Sequence, residues 1–277
     1  YLVRVKEVEA GAGDVRPNNL LIMDPQGQTI DLPGEETVEP TFGLPAVWVD
    51  SGQREEASFR GYTIVDPATV ITTHLTEILK DHMPDLLSYA ETQKLLDDLP
   101  SANQKLIADL IPSHISVSGV QRILQNLLAE RVSIRDLPTI LEGISEATGY
   151  SQNINIITEH VRARLARQIS ATNMAEDGYI PLITLTPQWE QNFANAIIGQ
   201  GDDRQLSMAP SQLQEFIARV REVFDTLASQ GHNPVMLTSP AILPYVRSIV
   251  ERFRPTTVVM SQNEIHPKAR LKTLAQV

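Results

Sequence analysis

The chain contains no cysteine, and this absence excludes two kinds of structure. Disulfide bonds cannot form, and metal sites built on thiolates cannot be assembled. Aromatic residues are also scarce, at 5% of the 277 residues, whereas hydrophobic residues as a whole make up 42%. The cores are therefore expected to consist mainly of leucine, isoleucine and valine.

Long hydrophobic runs are lacking as well. No stretch approaches the about 18 to 20 apolar residues of a membrane-spanning helix. No basic segment followed by an apolar segment marks a secretion signal. The chain begins at Tyr1, directly in a strand-like alternation. We interpret it as a fragment of a longer protein. A membrane anchor in the remaining part of that protein is compatible with this sequence.

Basic side chains are outnumbered by acidic ones, 23 to 34, which gives a formal net charge of −11. Nucleic-acid binding requires cations that replace the counterions of the phosphates. An anionic membrane surface attracts basic segments for the same reason. The charge balance therefore argues against both partners and leaves protein binding or catalysis open.

The first third of the chain has a strand-rich pattern. Alternation from Leu2 to Val8 and the apolar run Leu20–Met23 each predict a strand. The segment from Leu32 to Pro45 carries prolines at 33, 40 and 45, which remove ladder donors, so we expect an ordered loop there. Further strands are predicted at 46–49 and 62–65, with a short helix over 54–59 between them.

The pattern changes to helical at Asp66-Pro67, where an acidic N-cap precedes a proline in the first turn. Apolar residues then recur at helical spacing through a long segment. The predicted helices are 68–83, 89–99, 102–110, 118–130, 136–147 and 154–169.

A third region begins near Tyr179 and alternates strands with helices. The predicted elements are strand 180–185, helix 187–198, helix 210–229, strand 235–237, helix 240–252 and strand 256–260. This order is typical of βαβ crossovers and a partly parallel sheet. The fold class is therefore α+β with several subdomains: a small strand-rich insert, a helical middle subdomain and a C-terminal α/β subdomain.

Few residues suggest catalysis or metal binding. His74 and His82 lie eight residues apart, whereas a helical metal pair prefers a spacing of one turn. No nucleophile elbow or phosphate loop is present. We therefore expect no catalytic residue, no metal and no cofactor.

Two further alternatives stay open from the residues alone. A hydrolase or transferase could use a cleft acid such as Glu39, although nothing supplies its base or nucleophile. The helix pair within Val117 to Leu141 is compatible with a DNA-binding helix-turn-helix, although the acidity of the chain favours a packed helical pair.

Phe42 is the most suggestive residue for binding. It lies in a segment rich in proline and glycine, where neither a strand nor a helix face buries it, and loops carry binding residues disproportionately. The alternative is that Phe42 packs inward beneath its own loop.

Two long segments, 36–49 and 120–137, resemble the cytosolic domain of the type III export-gate membrane proteins, the FlhA/InvA family, with the flagellar branch nearer. Shorter similarities include Gly61–Asp66, Thr69–Leu75 and Val258–Ile265. The resemblance runs along the whole chain.

The resemblance implies a division into four subdomains. Residues 1–17 and 67–86 would be the remnant of the first cytosolic subdomain, and 18–66 an inserted small α+β subdomain. Residues 87–166 would form the helical subdomain, and 167–277 the C-terminal α/β subdomain.

The resemblance also implies a function without catalysis. The chain would be the cytosolic docking platform of a flagellar export gate, binding export chaperones with their late substrates and helping to order export. It would form a homo-oligomeric ring, which is nonameric in the family, and contact other export-apparatus proteins. It would lie at the cytoplasmic face of the bacterial inner membrane, in the flagellar basal body. The equivalent injectisome component is the alternative.

Three chaperone-binding residues follow from the family motif: Glu39, Phe42 and Thr73. Relatives often carry Asp-Pro-x-Phe-Gly, whereas this chain has Glu39-Pro40-Thr41-Phe42-Gly43, so its acid is one methylene longer.

Overall fold

The computed structural model describes residues 1–25, 27–199 and 204–277. The chain divides into two compact units, Tyr1–Glu91 and Thr92–Val277, each of which is described by itself. The mixed architecture confirms the predicted α+β fold class, with a strand-rich start, a helical middle and a C-terminal α/β part.

The first unit opens with an antiparallel hairpin of β1 (Leu2–Val5) and β2 (Val8–Ala12). The single strand predicted from Leu2 to Val8 is therefore wrong. The chain reverses at Lys6 and Glu7, whose φ angles are 49° and 68°. Residues other than glycine, asparagine and aspartate rarely adopt this left-handed backbone conformation. A lysine and a glutamate therefore give no turn signal in the sequence.

A four-stranded antiparallel sheet follows, in the order β4-β5-β3-β6. Its strands are β3 (Asn19–Met23), β4 (Glu35–Val38), β5 (Pro45–Asp50) and β6 (Thr63–Val65). Strand β4 corrects the prediction of a loop from Leu32 to Pro45. The prolines of that segment fall outside 35–38, so β4 keeps all its backbone donors.

Both faces of this sheet are covered, and the two central strands are therefore apolar on both sides. Helix α1 (Arg54–Phe59) places Ala57 in one core, and α2 (Pro67–Leu86) places Val70 in the other. Leu20, Ile22, Val47 and Val49 face the α1 side, and Leu21, Ala46 and Trp48 face the α2 side.

Helix α2 begins as the sequence predicts. The Asp66 side chain accepts a hydrogen bond from the Thr69 N–H at 3.0 Å, and Pro67 occupies the first turn. This cap fixes the start of the helix, so Val70, His74 and Ile78 share its buried face at intervals of four residues.

The second unit begins with helices that pack around leucine and isoleucine side chains. They are α3 (Tyr89–Asp97, whose first residues belong to the first unit), α4 (Ser101–Leu110), α5 (Val117–Ala129), α6 (Leu137–Thr148), α7 (Ile154–Arg164) and α8 (Ala166–Thr172).

The single helix predicted over 154–169 is wrong, because the axis breaks at Leu165, where φ is −85° and ψ is 8°. No proline or glycine marks the break. Tertiary contacts account for it: Leu165 is buried, and the Ser170 hydroxyl in α8 accepts the His266 N–H at 2.9 Å.

The C-terminal sheet has the order β11-β10-β7-β12, and all its strand pairs are parallel, whereas the sequence predicted a partly parallel sheet. Its strands are β7 (Ile180–Thr184), β10 (Val235–Thr238), β11 (Val259–Ser261) and β12 (Leu271–Gln276). A small ribbon joins β8 (Ile197–Ile198) to β9 (Gln205–Leu206).

Helices α9 (Pro187–Ala196), α10 (Pro210–Ser229) and α11 (Leu243–Val250) connect the strands, and their apolar faces join the sheet in one core. Phe193 and Phe216 meet edge-on in that core, with ring centroids 4.9 Å apart.

Pro181 lies in the central strand β7 without breaking the sheet. The Ile180 N–H donates to the carbonyl of Arg270, beside β12. The backbone nitrogen of Pro181, which carries no hydrogen, therefore faces the β10 side. Pairing with β10 starts only at Leu182, opposite Val235. The missing donor therefore lies just beyond the ladder, where proline is tolerated.

Candidate docking site

The candidate site is the loop that joins β4 to β5. Glu39 N–H donates to the Leu44 carbonyl at 2.8 Å, and Gly43 N–H donates to the Glu39 carbonyl at 3.0 Å. Gly43 adopts a φ of 69°, which its lack of a side chain permits at little strain. The loop is thus a closed turn at the tip of a hairpin.

Glu39 holds this loop from the inside. Its carboxylate accepts the Thr41 N–H at 2.9 Å on one oxygen and the Phe42 N–H at 2.7 Å on the other. The residue is only 4% exposed. Charge-assisted bonds to two consecutive amides fix the backbone that presents the next side chain. Glu39 is therefore an internal support of the loop, with each of its oxygens already bonded.

Phe42 points away from the core. The residue is 65% exposed, so the alternative in which it packs beneath its own loop is wrong. Two other apolar residues at the same hairpin end, Val38 and Leu44, are also exposed. The hairpin end therefore presents apolar side chains on a backbone that hydrogen bonds hold in place.

Thr73 lies on α2 and is half-buried. Within the described residues no hydrogen bond joins it to Glu39 or Phe42. Its neighbour His74 is buried, and the Nδ1 of that ring lies 2.7 Å from the hydroxyl of Tyr1. Burial raises the pKa of Tyr1, and the negative charge of Glu39 raises it further. Tyr1 thus contacts α2 at His74, the neighbour of Thr73.

The structure therefore joins two of the three sequence-predicted residues directly and leaves the third on a neighbouring element. Sequence reasoning missed Tyr1, Val38 and Leu44 at this site. Val38 and Leu44 flank the motif, and an apolar pair at the two ends of a hairpin loop was an available signal. The pairing of Tyr1 with His74 spans 73 positions and left no local signal.

A second cluster of charged residues lies inside the second unit. Arg162 is 1% exposed and donates to both oxygens of Glu264, from Nε at 2.5 Å and from Nη2 at 3.0 Å. Arg162 also donates to Glu130. Arg247 donates to Glu130 at 2.8 Å and to Glu159 at 3.1 Å. We call these five residues the ion network.

The ion network contains three acids and two arginines, so one negative charge is uncompensated within it. Burial raises the pKa of Glu130 from its ordinary 4.5 to about 7. The attraction of Arg162 and Arg247 opposes this rise, and the charges of Glu159 and Glu264 add to it. Glu264 also accepts the Ser261 N–H at 3.0 Å. Since its groups bond mainly to one another, the ion network joins α5, α7 and α11 rather than forming a reaction centre.

The alternatives from the sequence gain no support from these contacts. A hydrolase that uses Glu39 would need the carboxylate to reach a substrate, but both oxygens bond to backbone amides. In a helix-turn-helix, α6 would be the recognition helix. Seven of its residues are buried: Leu137, Ile140, Leu141, Gly143, Ile144, Ala147 and Thr148.

The described residues contain neither a metal-binding cluster nor a membrane-spanning helix. Among them, no three histidine or acidic side chains group closely enough to hold a metal ion. No helix built from these residues has the length and apolarity to cross a bilayer.

Comparison with known proteins identifies similar chains. Residues 1–270 match the model of the FHIPEP family. The flagellar biosynthesis protein FlhA of Caulobacter vibrioides is 60% identical over 277 residues. The match covers all of this chain and 40% of the relative, so the chain spans about two fifths of the relative's length.

Solved structures share the fold. The Chlamydia pneumoniae CdsV protein matches with a TM-score of 0.85 and 25% identity, over 100% of this chain and 80% of that one. The nonameric EPEC SctV-C, solved by cryo-electron microscopy, matches with a TM-score of 0.78 and 20% identity, over 98% of this chain and 81% of that one. At these identities the likeness concerns the architecture.

Proposed function

The chain belongs to the FHIPEP family, and from that premise we propose that it is the docking platform of a flagellar type III protein export gate. In this role it binds export chaperones that carry late flagellar substrates and helps to order their export. The work is binding and sorting rather than turnover, with no cofactor or metal.

One observation carries the proposal: Phe42 is exposed on a loop whose backbone amides bond to the buried Glu39. A large apolar side chain on a preorganised backbone is the usual form of an interface hot spot. Little conformational entropy is lost when such a loop binds. Thr73 on α2 is proposed as the third residue that contacts the chaperone.

The flagellar branch is favoured over the injectisome branch by the degree of similarity. The flagellar relative is 60% identical, whereas the EscV cytosolic domain from the type III secretion system is 21% identical. The proposal extends to the division into four subdomains with the borders given above. It also extends to contacts with other export-apparatus proteins and to a place at the cytoplasmic face of the inner membrane, in the flagellar basal body.

A homo-oligomeric ring is part of the same proposal. SctV-C, which shares the fold, is nonameric. We propose a ring of the same kind for this chain within its parent protein. Many copies of the loop would then face the export machinery together, and several weak contacts would reinforce one another.

The test is Phe42→Ala, measured by calorimetric titration of the chain with a flagellar export chaperone bound to its substrate. Removal of a hot-spot ring is expected to cost about 2 kcal/mol or more, which weakens binding over tenfold. Since the ring is 65% exposed, the melting temperature should change little. Burial of a complete phenylalanine would be worth about 3–5 kcal/mol of stability.

Phe59→Ala is the matched control, because Phe59 is 90% exposed and lies on α1 of the same unit. It removes the same ring and should leave chaperone binding unchanged. Normal binding by Phe42→Ala would refute the site. Loss of binding only with Phe59→Ala would move the site to α1.

A further inference from the structure

The four-stranded antiparallel sheet has a free edge directly beside the loop that joins β4 to β5, which we call the Phe42 loop. Strand β4 is the outermost strand, with only β5 as its neighbour. The two strands pair without a bulge, with Thr37 opposite Ala46 and Val38 opposite Pro45. The edge and the loop are therefore continuous along the chain.

The pairing determines which backbone groups face outward. The Glu39 N–H points toward the β5 side, because it donates to Leu44. In an antiparallel pair the direction of the backbone groups alternates along the strand. Thr37 and Glu35 therefore bond toward β5. The N–H and C=O groups of Glu36 and Val38 point away from the sheet, and no hydrogen bond to them occurs within the described residues.

Strand β4 lacks several of the protections that natural free edges carry. Natural edges are protected by short strands, charged side chains, proline, bulges or a covering element. Strand β4 contains no proline or lysine and no bulge, and the Val38 residue is 62% exposed. Two glutamates, Glu35 and Glu36, are its only charged residues.

We infer that β4 accepts an extended segment of the docked partner as an added strand, and that this segment carries lysine or arginine beside apolar residues. Strand addition supplies affinity through main-chain hydrogen bonds and specificity through alternate side chains. The inference rests on the proposed function, since the added strand would reach the Phe42 loop at one end.

Charge argues for a basic partner and against a second copy of this chain. Glu35 already pairs with Arg16 at 2.6 Å, whereas Glu36 is exposed and has no ion pair within the described residues. Pairing of β4 with β4 of another copy would bring glutamates together, and like charges directly opposite destabilise a sheet. A lysine or arginine opposite Glu36 would form a favourable cross-strand pair.

The main test compares Val38→Pro with Val38→Ala in binding to the export chaperone–substrate complex. Both variants lose the valine side chain, but only proline removes the outward N–H and places its ring against an added strand. The bonds between β4 and β5 remain, since Val38 does not donate to β5. Val38→Pro should bind at least tenfold more weakly than Val38→Ala.

Hydrogen exchange in the unaltered chain gives a second measurement that requires no variant to fold. The amides of Glu36 and Val38 should exchange at least tenfold more slowly in the complex, while that of Thr37, already bonded to β5, should change less. Glu36→Lys should weaken binding as well, because it would repel a basic segment.

Equal affinity of the proline and alanine variants, or unchanged exchange at Glu36 and Val38, would overturn strand addition. Slowed exchange at both amides in the concentrated chain alone would show instead that a second copy covers the edge. In either case Phe42→Ala still decides the proposed function independently, because its ring lies in the loop and not on the edge.

Discussion

Glu39→Gln should weaken chaperone binding through the loop rather than through a contact with the partner. The carboxylate accepts two amides, from Thr41 and Phe42. A glutamine side chain keeps one acceptor oxygen. Its NH2 group is a donor and would lie against the second backbone N–H, which is also a donor, so no hydrogen bond forms there. A hydrogen bond to a charged group is worth about 1.5–3 kcal/mol, so the equilibrium constant for closing the loop should fall at least about tenfold.

Affinity should fall with the fraction of molecules whose loop is closed, since only the closed loop presents Phe42 correctly. We expect about tenfold weaker binding in calorimetric titration. The Thr41 and Phe42 amides should also exchange with solvent about tenfold faster in the free chain. Glu39→Asp keeps both acceptor oxygens and resembles the turns that aspartate forms with amides two and three positions ahead. It should bind within about threefold of the unaltered chain.

Glu55→Gln is the matched control, because it makes the same change of charge at an exposed position on α1. Normal binding by Glu39→Gln would refute the supporting role. Weakened binding with unchanged exchange at Thr41 and Phe42 would also refute it, and would indicate that the partner contacts Glu39 directly.

Two further predictions concern other elements. Thr73→Met adds bulk to the half-buried face of α2 and should weaken chaperone binding more than tenfold. Thr72→Met, on the exposed face of the same helix, should leave binding unchanged. Equal binding by both variants would show that Thr73 is not part of the site. Burial raises the pKa of Glu130 to about 7, so its contribution to stability is complete below about pH 4.5 and is lost as the pH rises through about 7. The unfolding free energy of Glu130→Gln, which stays neutral, should therefore rise by about 2.5 kcal/mol relative to that of the unaltered chain between about pH 5 and pH 8. Parallel stability curves from denaturant titrations over this range would contradict the raised pKa.

Much of the fold was predictable because local signals and tertiary packing agree. The Asp66-Pro67 cap predicted the start of α2, and the helix from Arg54 to Phe59 has the predicted bounds. Strand β12 was missed because its sequence, Leu-Lys-Thr-Leu-Ala-Gln, has weak strand propensity. Its pairing with β7 in the sheet determines its conformation.

That Glu39 and Phe42 share one loop was predictable from the sequence, but the geometry of that loop was not. The motif indicated Glu39 and Phe42, and it implied that the acid contacts the partner. The direction of the Glu39 side chain depends on which backbone amides lack partners, and only the closed loop determines that. Strand β4 was misjudged for a related reason: three nearby prolines suggested a loop, but the four residues between them carry none.

The ion network restricts how segments of this family can be recombined into hybrid proteins. Glu130, Glu159 and Arg162 come from the helical stretch, whereas Arg247 and Glu264 come from the α/β stretch. A hybrid that takes these stretches from different parents keeps stable packing between them only when the five charged residues are inherited as a matched set. A mismatched combination would leave a buried charge without its counter-charge. The loss of stability would be about 3–5 kcal/mol, and substitutions on the surface would not restore it.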